Sequence, residues 1–209
     1  MKRIVDKYDK QLIADLPRVL FPGHIEVIVS ESDAERAVRF LMKQTLLGFD
    51  TESRPSFVRG KQYKVSLLQI STTDVCFLFR LNRIGLPKCL VMLLEDKKIT
   101  KVGLSWHDDL HMLAGRNKFQ PGTFVELQSV AEKLGIQDKS LQKLYANIFG
   151  KKISKSQRLS NWEAESLTEA QKQYAATDAW ACIQLYNEMK RMQEEGYDLV
   201  HSSESIVHS

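Results

Sequence analysis

Two carboxylates separated by one residue are the first chemical feature of this 209-residue chain. Asp50 and Glu52 end an apolar run, residues 46–49, that is typical of a buried strand. Residues i and i+2 of a strand point to the same face, so these carboxylates lie roughly 6.5 Å apart along one side. Negative charges aimed together repel each other unless cations lie between them. The pair therefore predicts a site for divalent metal ions.

A second acidic motif lies near the other end of the chain. Tyr174 and Asp178 are four residues apart in a strongly helical segment, so they share one face of a helix. Between the two motifs, Asp108 and Asp109 are adjacent and follow a short run that contains a glycine. One of these two would complete a set of four carboxylates, and such hard oxygen ligands suit Mg²⁺ or Mn²⁺.

The composition is that of a globular protein with a basic charge balance. Hydrophobic residues make up 43% and charged residues 27%, and no apolar run approaches the roughly 20 residues of a membrane span. We therefore expect no membrane association. The net charge of +4 rises to +8 when the four candidate acids are left out, because each carries one negative charge. A basic surface favours a polyanionic substrate such as nucleic acid.

The sequence indicates an intracellular location, cytoplasmic if the source is bacterial. The first seven residues are charged and lack the apolar core of a signal peptide. The three cysteines, at positions 76, 89 and 182, form an odd and scattered set that does not read as a disulfide framework.

The pattern of elements predicts an α/β fold with a lead-in over residues 1–23, one domain over 24–195, and a polar, flexible tail over 196–209. A strand over 24–29 precedes a helix that reaches residue 43, with Ser32 and Glu35 as its capping box. The strand ending at Glu52 and a hairpin over 65–80 then predict an antiparallel meander. Helices and strands alternate over 88–126, and the last third is helical, with a long helix over 168–195 that Thr168 and Gln171 cap.

The ordered motifs resemble the DEDD exonucleases, in their tyrosine-bearing branch. The resemblance covers roughly residues 24–193 and includes Lys101-Val102-Gly103, Ser160-Asn161-Trp162 and residues 167–179. These stretches are similar to exonuclease domains of the Werner type and, less closely, to ribonuclease D. The resemblance implies an RNase H-like fold, with a mixed central β-sheet flanked by helices. It also implies 3′-5′ exonuclease activity on DNA or RNA 3′ ends, which releases nucleoside 5′-monophosphates.

The same resemblance assigns roles to the acids. Asp50, Glu52, Asp109 and Asp178 would hold two divalent cations, Mg²⁺ or Mn²⁺. Asp109 fits the family pattern better than Asp108, because a leucine follows it. We expect Ser105 to cap the helix that carries both acids and Asp108 to support the helix start.

Tyr174 is expected to orient the attacking water. The ordinary pKa of a phenol, about 10, is too high for an efficient base at neutral pH.

The loops around these motifs supply candidate substrate contacts, listed here in chain order: Arg54, Phe57, His111, Lys155 and Arg158. The helical spacing of His107 and His111 also allows a zinc site, which is disfavoured because neither a matching motif nor a nearby cysteine accompanies it. Trp162 is expected to be a packing anchor rather than a platform for bases.

Three functions follow. DNA is the favoured substrate, trimming of RNA in the manner of ribonuclease D is the alternative, and a non-catalytic nucleic-acid-binding module is the rival of a different class. A helicase, repair or RNA-processing partner is left open.

Overall fold

The computed structural model describes residues 2–60 and 62–202. The strands of the described residues are β1 Lys2–Val5, β2 His24–Ile28, β3 Leu46–Ser53, β4 Val65–Ser71, β5 Val75–Arg80, β6 Thr100–Gly103, β7 Phe124–Glu126 and β8 Tyr197–Val200. The helices are α1 Glu31–Leu41, α2 Leu81–Ile84, α3 Lys88–Glu95, α4 Trp106–Ala114, α5 Leu127–Lys133, α6 Leu141–Phe149 and α7 Glu169–Glu195, together with a 3₁₀ turn over Lys10–Ile13.

Six strands form the central sheet in the order β2-β5-β4-β3-β6-β7. Strand β4 runs antiparallel to its neighbours β5 and β3, and the other pairs are parallel. The predicted meander of β3, β4 and β5 and the predicted mixed sheet are both confirmed. Because β6 pairs only with the first half of β3, the end of β3 that carries Asp50 and Glu52 is open on that side.

Helices cover the sheet on both faces. One apolar core lies between the sheet and α1, α3 and α4, and the other lies between the sheet and α5, α6 and α7. Alternate residues of the buried strands supply each core, for instance Leu68 to the first and Leu67 to the second. The result is a three-layer α/β/α domain in which α7 crosses the middle of the sheet.

A glycine on β3 allows α7 to lie close to the strand. Gly48 shares a strand face with Asp50 and Glu52, and a Cβ atom at Gly48 would collide with the carbonyl oxygen of Ala179 on α7. The facing side of the helix is built from small buried residues, including Ala175 and Ala179. This close approach brings the acidic end of β3 to the residues of α7.

The predicted capping boxes of α1 and α7 can be compared with the structure. Thr168 and Gln171 form the predicted capping box of α7. The predicted box of Ser32 and Glu35 is wrong, because Ser30 occupies the N-cap and its hydroxyl accepts a hydrogen bond from the Asp33 amide at 3.2 Å. Ser32 already lies within the first turn of α1.

The prediction of a flexible tail from residue 196 is wrong for residues 197–202. Strand β8 pairs in parallel with β1, and the Ser202 amide donates to Asp6 Oδ1 at 2.8 Å. Tyr197 and Leu199 flank Asp198 and pack against the core under α7. These two apolar contacts hold the segment, although the tail as a whole is polar in composition. Residues 203–209 of the predicted tail lie outside the described residues. Within the described residues, no helix has the length and apolar character needed to cross a bilayer.

Candidate active site

Three of the predicted acids meet where β3 and α7 approach each other. Asp50 and Glu52 project from β3, Asp178 projects from α7, and one carboxylate oxygen of each lies within 4.8 Å of the others. This is the only group of three or more potential metal ligands among the described residues. The structure therefore brings together acids that are more than 120 residues apart in the sequence.

Burial raises the pKa of each of these acids, and repulsion by neighbouring acids adds to the rise for Asp50 and Glu52. Burial raises the pKa of Glu52 to about 9, and the charges of Asp178 and Asp109 add to this effect while Arg158 opposes it. The pKa of Asp50 is raised well above its ordinary value, first by burial and then by the charge of Asp178. Burial also raises the pKa of Asp178 to about 7, although hydrogen bonding from Tyr174 and the charge of Lys155 act against it. At neutral pH the three carboxylates therefore tend to bind either protons or metal cations.

One carboxylate oxygen of the cluster has no hydrogen-bond partner among the described residues. Asp178 is 7% exposed, and its Oδ1 atom is buried without a hydrogen-bond partner among the described residues. A buried carboxylate oxygen left unpaired is costly. A divalent cation would satisfy this oxygen and would separate the charges of the three acids, so the residues present fit a metal centre.

The fourth acid lies beside the cluster and is held by a threonine. Thr51 Oγ1 donates a hydrogen bond of 2.6 Å to Asp109 Oδ1. Burial raises the pKa of Asp109 to about 6, and the Thr51 hydrogen bond limits that rise. Asp108 is exposed, whereas Asp109 is half-buried next to β3. Asp109, and not Asp108, is therefore the acid that faces the strand of the cluster.

The helix of Asp109 is capped from a neighbouring strand. Ser105 occupies the N-cap of α4 with a φ of 60°, but its side chain makes no capping hydrogen bond, so the predicted role of this hydroxyl is wrong. Instead the Glu126 carboxylate accepts from the amides of Ser105 and Trp106, at 3.0 and 3.2 Å. The same Glu126 carboxylate accepts from the Gln128 amide at the start of α5. One side chain thus fixes two helix starts.

The histidines of α4 lie away from the metal-ligand group. His107 Nδ1 is 4.0 Å from Glu126 Oε2, and His111 is exposed on the turn after Asp109. Neither belongs to the acidic group, and the group itself contains neither histidine nor cysteine among the described residues. The arrangement is that of a hard-cation site rather than a zinc site.

Tyr174 stands one turn before Asp178 and is held by packing. It is 7% exposed, and its ring centroid is 6.0 Å from that of Trp162, which is completely buried. Trp162 is therefore a packing anchor, as predicted. Burial, followed by the charges of Asp178 and Glu52, raises the pKa of Tyr174 above its ordinary value. The phenol stays protonated at neutral pH and acts as a hydrogen-bond donor.

A cavity of about 250 Å³ opens over the carboxylates, and its lining includes two of the predicted substrate contacts, Lys155 and Arg158. The sequence did not predict the rest of the wall, which includes Leu104, Leu141 and Ile153. These residues come from two loops and the start of α6 and carry no shared motif. The one available signal was Ile153, an apolar residue inside the basic run 151–158.

Two other predicted contacts, Arg54 and Phe57, lie in a second cleft, and His111 lines neither cleft. Arg54 and Phe57 line a space of about 330 Å³ together with Leu159. Arg54 forms an ion pair of 3.5 Å with Glu163, and Phe57 is 85% exposed. The two clefts adjoin at the consecutive residues Arg158 and Leu159, so Arg54 and Phe57 lie beside the carboxylate cavity and not within it.

Comparison with known proteins identifies the family. The profile of the 3′-5′ exonuclease family matches residues 25–194, which is most of the chain. The chain belongs to the 3′-5′ exonuclease family. The resemblance to DEDD exonucleases is thereby confirmed, and the family's use of divalent metal ions agrees with the acidic group.

The exonuclease is similar to proteins of two kinds. It is 36% identical over 191 residues to the bifunctional 3′-5′ exonuclease/ATP-dependent helicase WRN of Mus musculus, an alignment that covers 86% of the chain and 14% of that protein. It is 28% identical over 181 residues to ribonuclease D of Gluconacetobacter diazotrophicus, covering 84% of the chain and 45% of that protein. The exonuclease spans less than half the length of either relative.

A solved structure supports the fold. The crystal structure of RNase D from Escherichia coli superimposes with a TM-score of 0.70 at 22% identity, over 81% of the exonuclease and 46% of that chain. The predicted RNase H-like fold is confirmed.

Proposed function

We propose that the exonuclease removes nucleoside 5′-monophosphates one at a time from the 3′ end of a nucleic-acid strand, with the help of two divalent cations. The single observation that carries this proposal is the group of Asp50, Glu52 and Asp178 around the unpartnered Oδ1 atom of Asp178. A group of acids that contains no basic residue suits cation binding better than proton transfer.

Three of the acids would bind the cations directly, and a fourth would complete the set of ligands. Asp50, Glu52 and Asp178 would hold the cations, and Asp109 would join them from α4 after giving up its hydrogen bond with Thr51. Mg²⁺ and Mn²⁺ are the ions that such carboxylate oxygens prefer. When bound, two cations stabilise the negative charge on the attacking and leaving oxygens of a phosphodiester.

The remaining side chains position the reactants. Tyr174 keeps its proton, which the Asp178 carboxylate accepts in the metal-free site. Once a cation binds Asp178, the phenol would donate instead to the attacking water and orient it, and it would not act as the base. Lys155 and Arg158, which line the same cavity, would bind the phosphates of the strand. The apolar side chains of Leu104, Leu141 and Ile153 would exclude bulk water from the terminal nucleoside.

DNA is the favoured polymer. The support for this choice is the higher identity to the mouse WRN protein, 36%, than to the ribonuclease D relative, 28%. Trimming of RNA 3′ ends is the second candidate, which the ribonuclease D relative supports. A non-catalytic binding module is disfavoured, because the three acids of the cluster, Asp109 and Tyr174 are all in place.

The experiment uses DNA and RNA strands of the same sequence, each labelled on the 3′-terminal nucleotide, with Mg²⁺ or Mn²⁺. We expect the label to appear as a nucleoside 5′-monophosphate, faster from DNA than from RNA. Faster release from RNA would overturn the choice of polymer. Release of labelled oligonucleotides or of a 3′-monophosphate would overturn the proposed reaction.

A further inference from the structure

The segment that precedes the family match is fastened to the active-site helix. The match begins at residue 25, yet the Phe21 amide donates to Thr177 Oγ1 at 3.0 Å, and Gln173 Nε2 donates to the Phe21 carbonyl at 2.7 Å. Gln173 and Thr177 are the residues immediately before Tyr174 and Asp178. The N-terminal segment, residues 2–23, is therefore bound to the turn of α7 that faces the cavity.

The same segment also holds the basic loop, residues 151–158. The Val19 amide donates to the Lys152 carbonyl at 3.0 Å, and the Lys152 amide donates to the Pro17 carbonyl at 2.9 Å. The Lys152 ammonium donates to the carbonyl of Ala14. These hydrogen bonds engage the Lys152 ammonium, so it is not available to bind phosphate. They also fix the start of the loop whose later residues, Lys155 and Arg158, line the cavity.

One cation of the N-terminal segment, Lys10, lies near Lys155 but outside the wall of this cavity. Lys10 begins the 3₁₀ turn that packs against α6, and the first residues of α6, Leu141 and Gln142, line the cavity. The Lys10 side chain is exposed. Burial lowers the pKa of Lys155, and the positive charges of Arg158 and Lys10 lower it further. Lys10 and Arg158 therefore both lie close to Lys155, which lines the cavity over the carboxylates.

Lys10 also borders a further basic cleft. A space of about 570 Å³ is lined by Lys7, Lys10 and Lys143, with Asp9 in the same wall. Asp9 Oδ1 accepts from the Gln11 amide at 2.9 Å, and Lys143 forms an ion pair of 2.9 Å with Asp138. Lys7 and Lys10 are exposed. Lys10 therefore borders this cleft and also lies near Lys155.

We propose that Lys10 binds the phosphodiester backbone of the nucleic-acid strand upstream of the nucleotide being removed. The strand would pass from Arg158 and Lys155 over Lys10 into the cleft bordered by Lys7. This inference rests on the proposed function, because it takes a nucleic-acid strand as the substrate. The N-terminal segment is then a part of the substrate-binding surface that the family match does not include.

The test compares Lys10→Gln with Lys43→Gln. Lys43 is an exposed lysine just after α1, on the opposite side of the sheet, and serves as the matched control. Both substitutions are placed in an Asp178→Asn background, so that labelled single strands stay intact while their affinity is measured by fluorescence anisotropy. Loss of one phosphate contact weakens binding about 5-fold at about 0.1 M salt and lowers the salt-dependence slope by about 0.7. We expect these changes for Lys10→Gln relative to Lys43→Gln, with a smaller loss for a dinucleotide than for a longer strand.

Equal affinities and equal slopes for the two variants would overturn the inference, as would an equal loss for the dinucleotide and the longer strand. The proposed function is tested separately by the wild-type chain. If wild type releases nucleotides while Lys10→Gln binds like the control, only the role of Lys10 fails. If wild type releases no nucleotide from either polymer, the proposed function fails first.

Discussion

The backbone of Gly48 lies so close to the carbonyl group of Ala179 that no side chain fits between them. This contact sets the separation between the strand that carries Asp50 and Glu52 and the helix that carries Asp178. The geometry of the metal-ligand group therefore depends on a residue that has no chemistry of its own.

Gly48→Ala tests this dependence. The added methyl group must push α7 away from β3, so we expect a loss of about 1–3 kcal/mol in the free energy of unfolding and a lower exonuclease rate. Thermal unfolding and nucleotide release measure the two effects. Gly115→Ala is the control, because Gly115 ends α4 with an ordinary φ of −68°. A Cβ atom there would lie 3.1 Å from the Met112 carbonyl oxygen, which a small shift relieves, against 2.0 Å from the Ala179 carbonyl oxygen at Gly48. Wild-type stability and rate in Gly48→Ala would contradict the role of the close approach.

The acidic cluster predicts that, without divalent cations, stability falls as pH rises. Below the ordinary pKa of about 4, the acids are protonated in both the folded and unfolded states. The folded-state pKa is raised to about 7 for Asp178 and about 9 for Glu52, so the folded chain binds more protons between these limits. The free energy of unfolding therefore decreases as pH increases through this window. Melting temperatures in chelator between about pH 5 and pH 8 measure it.

Mg²⁺ should reverse that loss, because a bound cation stabilises only the folded cluster. The matched variant is Asp178→Asn, which removes one of the repelling charges. In chelator at pH 8 it should melt above wild type, by about 2–4 °C for each kcal/mol of repulsion relieved, and it should gain less from Mg²⁺. A wild-type melting temperature that neither falls with pH nor responds to Mg²⁺ would contradict the metal site.

Substitution of the two adjacent aspartates of α4 should have opposite effects on the rate of nucleotide release. Asp109 accepts from Thr51 beside β3, whereas Asp108 is exposed. Asp109→Asn should lower the rate of nucleotide release by more than about 100-fold. The substitution weakens the binding of cations that stabilise the transition state by several kcal/mol. Asp108→Asn is the control and should stay near the wild-type rate. The reverse order in nucleotide-release assays would show that Asp108 is the functional acid.

Tyr174→Phe should separate catalysis from metal binding. The phenol donates a hydrogen bond but is not a member of the acidic group, so its loss should slow the reaction about 10- to 100-fold. The rise in melting temperature caused by Mg²⁺ should match that of wild type. Trp162, which packs on the Tyr174 ring, should hold the substituted ring in the same place. A variant with the full rate would remove Tyr174 from the mechanism.

The sequence predicted the elements of the central domain because their signals are local. The apolar run before Asp50, the hairpin over 65–80 and the capping box of Thr168 and Gln171 each act within a few residues, and the structure contains all three. Strand and helix periods predicted that Asp50 and Glu52 share one face and that Tyr174 and Asp178 share another. The meeting of the two pairs was predicted from the family resemblance.

The features that sequence did not predict depend on distant partners. Strand β8 pairs with β1 across almost the whole chain, and the two strands, of four residues each, are too short to give a sign of it. The cap of α4 comes from Glu126, about twenty residues beyond the helix start. The position of Lys10 near Lys155 likewise follows from contacts between the N-terminal segment and the basic loop. None of these pairings has a local pattern.

The most direct test of the account follows the length of a 5′-labelled strand over time, at single-nucleotide resolution, in Mg²⁺ and in chelator. Wild type should shorten the strand stepwise from its 3′ end only when Mg²⁺ is present, and Asp50→Ala, which lacks one acid of the group, should leave it intact. Shortening that persists in chelator or in Asp50→Ala would contradict a reaction carried by this metal-ligand group. The absence of shortening by folded wild type on both DNA and RNA would contradict the exonuclease activity itself.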